Sequence, residues 1–170
     1  FKSTEWLADA YRQAGNPAEA IRIYLLALQN ESLHSKTGHT DATTLFNNLG
    51  IAYHEAGDYL KARSYLERAL EERIEKNGAG HPDTLVPMGN LALLYKDMGN
   101  LSIAEEYTHR CLELSENLFG KHHPRTQVAL NNACVICSIK GETEKALDLS
   151  RRCLESTEAF YGYEHPETLV

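Results

Sequence analysis

The sequence predicts an all-α protein built as an α-solenoid of antiparallel helical hairpins, and three observations carry this prediction. A His-Pro dipeptide begins at His81 and returns 42 residues later at His123 and again at His165. Glycines and alanines recur at the same interval. Apolar residues within each interval follow helical spacing rather than the alternation of a strand. A fixed period in this range is typical of stacked helical repeats.

The same period holds in several columns of the sequence and sets the bounds of the repeats. They span about 1–38, 39–80, 81–122 and 123–164, with the start of a fifth at 165–170. Because the spacing is even and no linker interrupts it, we expect a single repeat domain. Because the chain begins and ends inside repeats, we also expect a fragment of a longer protein. The most regular columns are Gly15, Gly57, Gly99 and Gly141; Ala20, Ala62, Ala104 and Ala146; and Leu28, Leu70, Leu112 and Leu154.

Each repeat contains two helices whose ends have recognisable signals. Pro82 suits the first helical position, where no N–H is needed. Gly99 suits the left-handed residue that ends a helix, and Asn100 suits the N-cap of the next. In the first repeat Asn16 is the expected N-cap, and Glu19 is expected to complete a capping box. The predicted helices span about 1–14, 17–34, 41–56, 59–76, 83–98, 101–118, 125–140 and 143–160, with a ninth starting at Pro166.

Composition and charge exclude two classes of partner. The chain is 42% hydrophobic with a net charge of −7, which is typical of a globular protein. The charge is spread along the chain without a basic stripe, so nucleic-acid binding is not expected. Since no apolar run approaches the length of a membrane span, a membrane partner is not expected either.

The cysteines and histidines are accounted for by the repeat. Cys134 and Cys137 have the spacing of a metal or redox site, but each occupies a column position of its own, as do Cys111 and Cys153 in an alanine column. We therefore expect no metal and no cofactor, and reduced thiols of this kind fit a cytoplasmic protein. The histidines of the His-Pro dipeptide lie one repeat apart, too far to share a metal ion, so capping and packing in the loop is their expected role.

Catalytic signatures are missing from the sequence. It contains no glycine-rich phosphate loop after a strand, no G-x-S-x-G and no H-E-x-x-H. Serine, histidine and aspartate residues are scattered over repeat positions, and no nucleophile has an evident base beside it. The sequence therefore predicts that the protein is not an enzyme.

The pattern of the first hairpin resembles the tetratricopeptide repeat. The 42-residue period and the segments around His81-Pro82 and Asn90-Leu91 are similar to the kinesin light chain type of repeat, which also occurs in NOD-like signalling ATPases of fungi and bacteria. The resemblance implies a right-handed α-solenoid, binding rather than catalysis, and a concave groove lined by the first helix of each repeat. The residues that carry it are Leu7, Ala8, Tyr11, Gly15, Ala20, Tyr24 and Ala27.

An asparagine column lies on the face that the resemblance assigns to the groove. Asn48, Asn90 and Asn132 lie one period apart. A side-chain amide offers both a donor and an acceptor, so a row of them can pair with the backbone of an extended peptide. Similar repeats use an asparagine ladder in this way. The alternative is that these amides form hydrogen bonds between helices and fix the stacking of the repeats.

Two further columns complete the expected binding surface. Arg12, His54 and Lys96 form a basic column beside the asparagines, which would favour an acidic or phosphorylated segment. The alternative is a solvated helix edge that neighbouring acidic residues neutralise. The concave positions also become more apolar toward the C-terminus, and the residues expected to contact apolar side chains are Ile51, Leu93 and Val135.

These features favour an interaction scaffold that binds an extended peptide or partner segment in its groove. Two alternatives are a sensor or assembly arm of a larger signalling ATPase and a kinesin light chain-like cargo adaptor. A third is a substrate-binding appendage of an enzyme. Apolar faces at the two ends of the array also predict end-to-end self-association.

Overall fold

The computed structural model describes residues 2–34 and 42–161 of the chain. These residues form eight α-helices and a short 3-10 helix, Pro82–Thr84, and contain no strand. The all-α prediction is confirmed, and the predicted helix bounds agree to within two residues. The predicted repeat boundary near residue 39 and the fifth repeat from 165 lie outside the described residues. The helices are α1 (Lys2–Gln13), α2 (Pro17–His34), α3 (Ala42–Glu55), α4 (Tyr59–Asn77), α5 (Leu85–Asp97), α6 (Leu101–Phe119), α7 (Pro124–Lys140) and α8 (Thr143–Tyr161).

The chain divides into two compact units. Unit 1 is Phe1–Ala79 and contains α1 to α4, and unit 2 is Gly80–Val170 and contains α5 to α8. In unit 1 the second helix of the first hairpin, α2, packs against α3, and in unit 2 α6 packs against α7. Each unit therefore consists of two stacked hairpins, and the single domain expected from the even spacing stays a prediction.

Small residues at the helix crossings set the packing distance within each hairpin. Ala20, Ala62 and Ala104 are fully buried, and Ala146 is 8% exposed at the same repeat position. Aromatic residues fill the space beside them, as where Tyr53 stacks on Tyr65 with ring centroids 5.5 Å apart. Close packing of small and large residues is what the sequence columns predicted.

The turn inside each hairpin uses the predicted glycine and cap. Gly15 adopts φ +76°, a left-handed conformation that costs glycine little, and the Asn16 side chain accepts from the N–H of Glu19. The second half of the predicted capping box, in which the Glu19 side chain accepts from the N–H of Asn16, is wrong. The N–H of Asn16 already donates to the carbonyl of Tyr11 at 2.9 Å, and the Glu19 carboxylate pairs with Arg22 at 2.8 Å. The tight turn therefore uses the N–H that the capping box would need.

The histidines of the His-Pro dipeptide cap helices, as expected. His81 Nδ1 accepts from the N–H of Asp83 at 3.2 Å, and His123 Nδ1 accepts from the N–H of Arg125 at 3.1 Å. The two histidines share nearly the same backbone conformation, with φ −81° in both cases. The third member of the column, His165, lies outside the described residues.

Among the described residues, no helix combines the length and the apolar character that a bilayer span requires.

Candidate functional site

Unit 2 contains a groove with a volume of about 430 Å³, which we call the unit-2 groove. One wall is formed by Pro82 and α5, the floor by α6, and the other wall by α7. The volume lies in the range of small-ligand sites. The lining residues are Pro82, Leu85, Val86, Gly89, Asn90 and Leu93 on the first wall, Cys111 and Ser115 on the floor, and Arg125, Val128, Ala129 and Asn132 on the second wall.

The local sequence explains why the groove is open. α6 packs against both α5 and α7, so these two first helices form walls above it. The floor residues Cys111 and Ser115 are small and buried, at 7% and 2% exposure. The Cys111 thiol lies 3.9 Å from the carbonyl of Leu85, so α6 lies close to the first wall at this point. Small side chains on the floor leave space that a leucine or phenylalanine there would fill.

The upper walls of the groove are apolar. Val86 is 59% exposed and Val128 60% exposed, although valine is normally a buried residue. They lie one repeat apart, on α5 and α7 respectively. Exposed apolar side chains that line one groove are typical of a surface that a ligand covers.

The electrostatics of the groove are simple. Burial raises the pKa of the Cys111 thiol to about 12, so this group is neutral at physiological pH. The only formal charge in the lining belongs to Arg125, whose guanidinium lies 5.2 Å from the centre of the Phe119 ring. The groove is thus an apolar surface with amide and hydroxyl groups and one cation at its edge.

The structure brings together part of the predicted site. Asn90, Leu93 and Asn132 all line the unit-2 groove. Val135, also predicted, is 47% exposed on α7 and does not belong to the lining. The groove therefore contains two amides of the asparagine column, each on a first helix of consecutive repeats.

In unit 1 the predicted residues have partners within the protein. Arg12 pairs with Glu55 at 2.7 Å, and this hydrogen bond and charge outweigh partial burial and raise the pKa of Arg12. The amide oxygen of Asn48 lies 3.5 Å from the amide nitrogen of Asn47. Ile51 is half-buried on the same helix, α3.

The two other basic residues also have neighbours. His54 lies against the ring of Tyr59 with centroids 5.7 Å apart, and Lys96 pairs with Asp97 at 3.1 Å. The Arg12–Glu55 and Lys96–Asp97 pairs are those expected if the basic column is a solvated helix edge that acidic neighbours neutralise. An acidic ligand at Arg12 or Lys96 would have to compete with Glu55 or Asp97.

Sequence reasoning missed most of the groove lining, and four of the missed residues are informative. Cys111 and Ser115 lie on a second helix, whereas only first helices were expected to line the groove. Arg125 belongs to no basic column, since Asp83 holds the same position one repeat earlier. Only Gly89 among these four could have been noticed in the sequence, because an isolated glycine inside a helical pattern indicates a packing or functional role.

The two cysteines of α7 have different neighbours. The Cys134 sulfur lies 3.1 Å from the Ser150 hydroxyl. Cys137 instead neighbours Glu105 and Glu142, and the ligand atoms of these three residues lie within 4.8 Å of one another. Lys140 pairs with both carboxylates, at 2.6 Å from Glu142, so the cluster is an ion-pair network.

Comparison with known proteins identifies the repeat. The tetratricopeptide repeat family matches residues 2–71, 40–113 and 90–159. A comparison with curated proteins gives no match.

Solved structures with the same fold cover nearly the whole chain. A crystal structure of BtubC (BKLC) from P. vanneervenii is 22% identical with a TM-score of 0.82, over 96% of this chain and 65% of that one. The chain therefore spans slightly less than two thirds of BtubC.

A second structure, from Podosopora anserina, contains the nearly identical TPR-like repeats of a kinesin light chain-type protein. It is 20% identical with a TM-score of 0.85, and covers 99% of this chain and 80% of that one. MamA is 20% identical with a TM-score of 0.64, over 93% of this chain and 78% of that one.

These likenesses confirm the α-solenoid class that the 42-residue period predicted. The family match supports a scaffold for protein interactions. The repeats resemble in fold the kinesin light chain-type repeats of the Podosopora anserina structure, and the chain belongs to the tetratricopeptide repeat family.

Proposed function

We propose that the chain is an interaction module that binds an extended peptide segment of a partner protein in the unit-2 groove. The observation that carries this proposal is the meeting of two asparagine amides with exposed valines in one groove. The amides of Asn90 and Asn132 can each donate to and accept from a peptide backbone, which makes binding independent of side chains at those points. Val86, Leu93 and Val128 would then bury apolar side chains of the peptide.

The expected preference for an acidic segment depends on different basic residues in the two units. In unit 1 it depends on Arg12 and His54, of which Arg12 is already paired with Glu55. In unit 2 it depends on Lys96, paired with Asp97, and on Arg125. In the described part of the chain, Arg125 has no carboxylate partner. A carboxylate of the peptide near Arg125 would therefore gain an interaction without breaking one.

The test begins with a probe that does not presuppose a partner. Peptides of 12 residues are selected from a random phage-displayed library on the immobilised chain, and their dissociation constants are measured by fluorescence anisotropy. The double variant Asn90→Ala with Asn132→Ala should weaken binding at least tenfold while the melting temperature stays nearly constant, because the lost hydrogen bonds go to the peptide.

The matched control is Asn117→Ala, which removes an exposed amide on α6 outside the groove lining. It should change neither affinity nor stability. If the double variant instead loses stability and affinity together, the asparagines are structural and the peptide proposal fails. Failure of the library to yield any binding peptide would contradict it as well.

Self-association through the ends of the array is a second proposal with its own observation. Leu7 is 51% exposed in α1, whereas Leu49 and Leu91 at the same repeat position are fully buried. At the other end Leu154 is 48% exposed, and Leu70 and Leu112 are buried at 6% and 8%. Sedimentation of the chain over a range of concentrations tests this: Leu154→Glu should reduce any association, and a monomer at every concentration would refute it.

The domains that accompany these repeats in the full-length protein would show in which larger protein they act. We propose that the larger protein is cytoplasmic, which the four free cysteines support, and that the repeats act in it either as a cargo adaptor or as an arm of a signalling ATPase. A coiled coil upstream in the full-length gene would agree with the adaptor. A nucleotide-binding domain upstream would agree with the arm of a signalling ATPase.

A further inference from the structure

Two glycines lie inside described helices, and only one of them is required by packing. Gly50 is in α3, where an added Cβ would lie 2.5 Å from Cγ of Leu66. Such a distance is far shorter than any normal contact between carbon atoms. Gly50 is therefore explained by the close approach of α3 and α4.

Gly89, in the middle of α5, has no such explanation. An added Cβ there would meet no other atom within 4 Å. The same position is Asn47 one repeat earlier and Asn131 one repeat later, so the fold accepts larger side chains there. Glycine in a helix interior is destabilising relative to alanine, because it loses more backbone freedom on folding. A destabilising residue without a packing role points to a role in binding.

The surroundings of Gly89 are part of the unit-2 groove. Gly89 lines the unit-2 groove on the same wall as Val86 and Leu93, one helical turn to either side. On the floor, the Ser115 side chain is small and 2% exposed, so it leaves the groove open below Gly89.

The chemistry of the lining defines what fits over Gly89. Val86, Leu93 and Val128 are apolar, and the Cys111 thiol and the Ser115 hydroxyl are neutral. Since the single charge of the lining is the cation of Arg125, a lysine or arginine of a ligand would find no counter-ion and would be repelled. A bulky uncharged side chain, such as leucine, methionine or phenylalanine, matches this surface.

We infer that Gly89 is a specificity-determining residue of the groove: one bulky apolar side chain of the bound peptide lies directly on the α5 backbone at Gly89, between the two valine walls. This inference rests on the proposed function. The missing Cβ of Gly89 provides the depth that the side chain occupies, and Asn90 and Asn132 hold the peptide backbone on either side of it.

The test uses the variant Gly89→Ala and the selected 12-residue peptides, each also synthesised with its apolar residues replaced one at a time by alanine. Gly89→Ala should raise the melting temperature by about 1–4 °C. It should also weaken binding of the parent peptide at least tenfold. One alanine substitution in the peptide should lower its affinity for the parent protein. The same substitution should cause no further loss of affinity for the Gly89→Ala protein, which is the coupling expected of two groups in contact.

The outcomes separate the two proposals. A lower melting temperature for Gly89→Ala would make the glycine structural and overturn the inference. Unchanged affinity for Gly89→Ala, together with a loss of affinity in the Asn90→Ala and Asn132→Ala double variant, would overturn the inference and leave the proposed function intact. Affinity unchanged in both proteins would overturn both proposals, and so would a library that yields no binding peptide.

Discussion

Gly50→Ala is the sharpest test of the packing in unit 1. The added Cβ would lie 2.5 Å from Cγ and 2.6 Å from Cδ2 of Leu66, and 3.3 Å from the carbonyl oxygen of Ala62. Carbon atoms in contact are normally about 3.5–4.0 Å apart, so the overlap is about 1 Å. Leu66 is fully buried and cannot move into solvent to relieve it.

The expected loss follows from two opposing effects. Overpacking of a core costs about 1–3 kcal/mol, and replacing glycine by alanine in a helix returns about 1 kcal/mol. Because the clash involves the Cγ branch point of a leucine that is fully buried, we expect a net loss of about 1–2 kcal/mol. For a domain of this size the melting temperature should fall by about 2–8 °C.

Circular dichroism at 222 nm during heating, repeated in urea, measures this loss. Gly89→Ala is the matched control, since it makes the same chemical change in the middle of another helix without a clash. The control should be at least as stable as the parent chain. A Gly50→Ala variant as stable as the parent would refute the reasoning, because the helices could then separate at no cost.

The remaining predictions concern ionisable groups of unit 2. Cys111 should react with iodoacetamide at pH 8 at least tenfold more slowly in the folded chain than in urea, because burial raises its pKa to about 12 and the thiolate is the reactive form; equal rates, read by mass spectrometry, would contradict its burial. The pKa of Glu142 is lowered by hydrogen bonds and charges from Lys140 and Lys145, so its ionised form favours the folded state. That contribution is present above the usual carboxyl pKa of 4.5 and is lost as the pH falls through the lowered value. Glu142→Gln should therefore lower stability at pH 7 and flatten its acid dependence, and a variant whose stability falls with pH as steeply as that of the parent would contradict the network.

The sequence predicted the helices well because local rules decide them. Glycine at the end of one helix, an asparagine or aspartate cap and the repeat of small residues are all readable within a few positions. Asp58, for example, accepts from the N–H of Lys61 as an N-cap, in the position that Asn100 holds one repeat later. The period then fixed the order of the hairpins.

Side-chain partners were less predictable because they depend on geometry across helices. The capping box failed since the N–H of Asn16 had a backbone acceptor that sequence spacing did not reveal. The pairing of Arg12 with Glu55 joins residues of successive repeats. Likewise, Ser115 reaches the groove from a second helix, where the repeat pattern places core residues rather than ligand contacts.

The most direct test of the central claim is a titration followed by nitrogen–proton correlation NMR of side-chain amides. A selected peptide is added stepwise to isotopically labelled chain, and the NH₂ signals of the asparagines are followed. We expect the signals of Asn90 and Asn132 to move in proportion to saturation, while that of Asn117 stays fixed. Binding that leaves both groove amides unmoved, with shifts confined to other surfaces of the chain, would contradict a peptide site in the unit-2 groove.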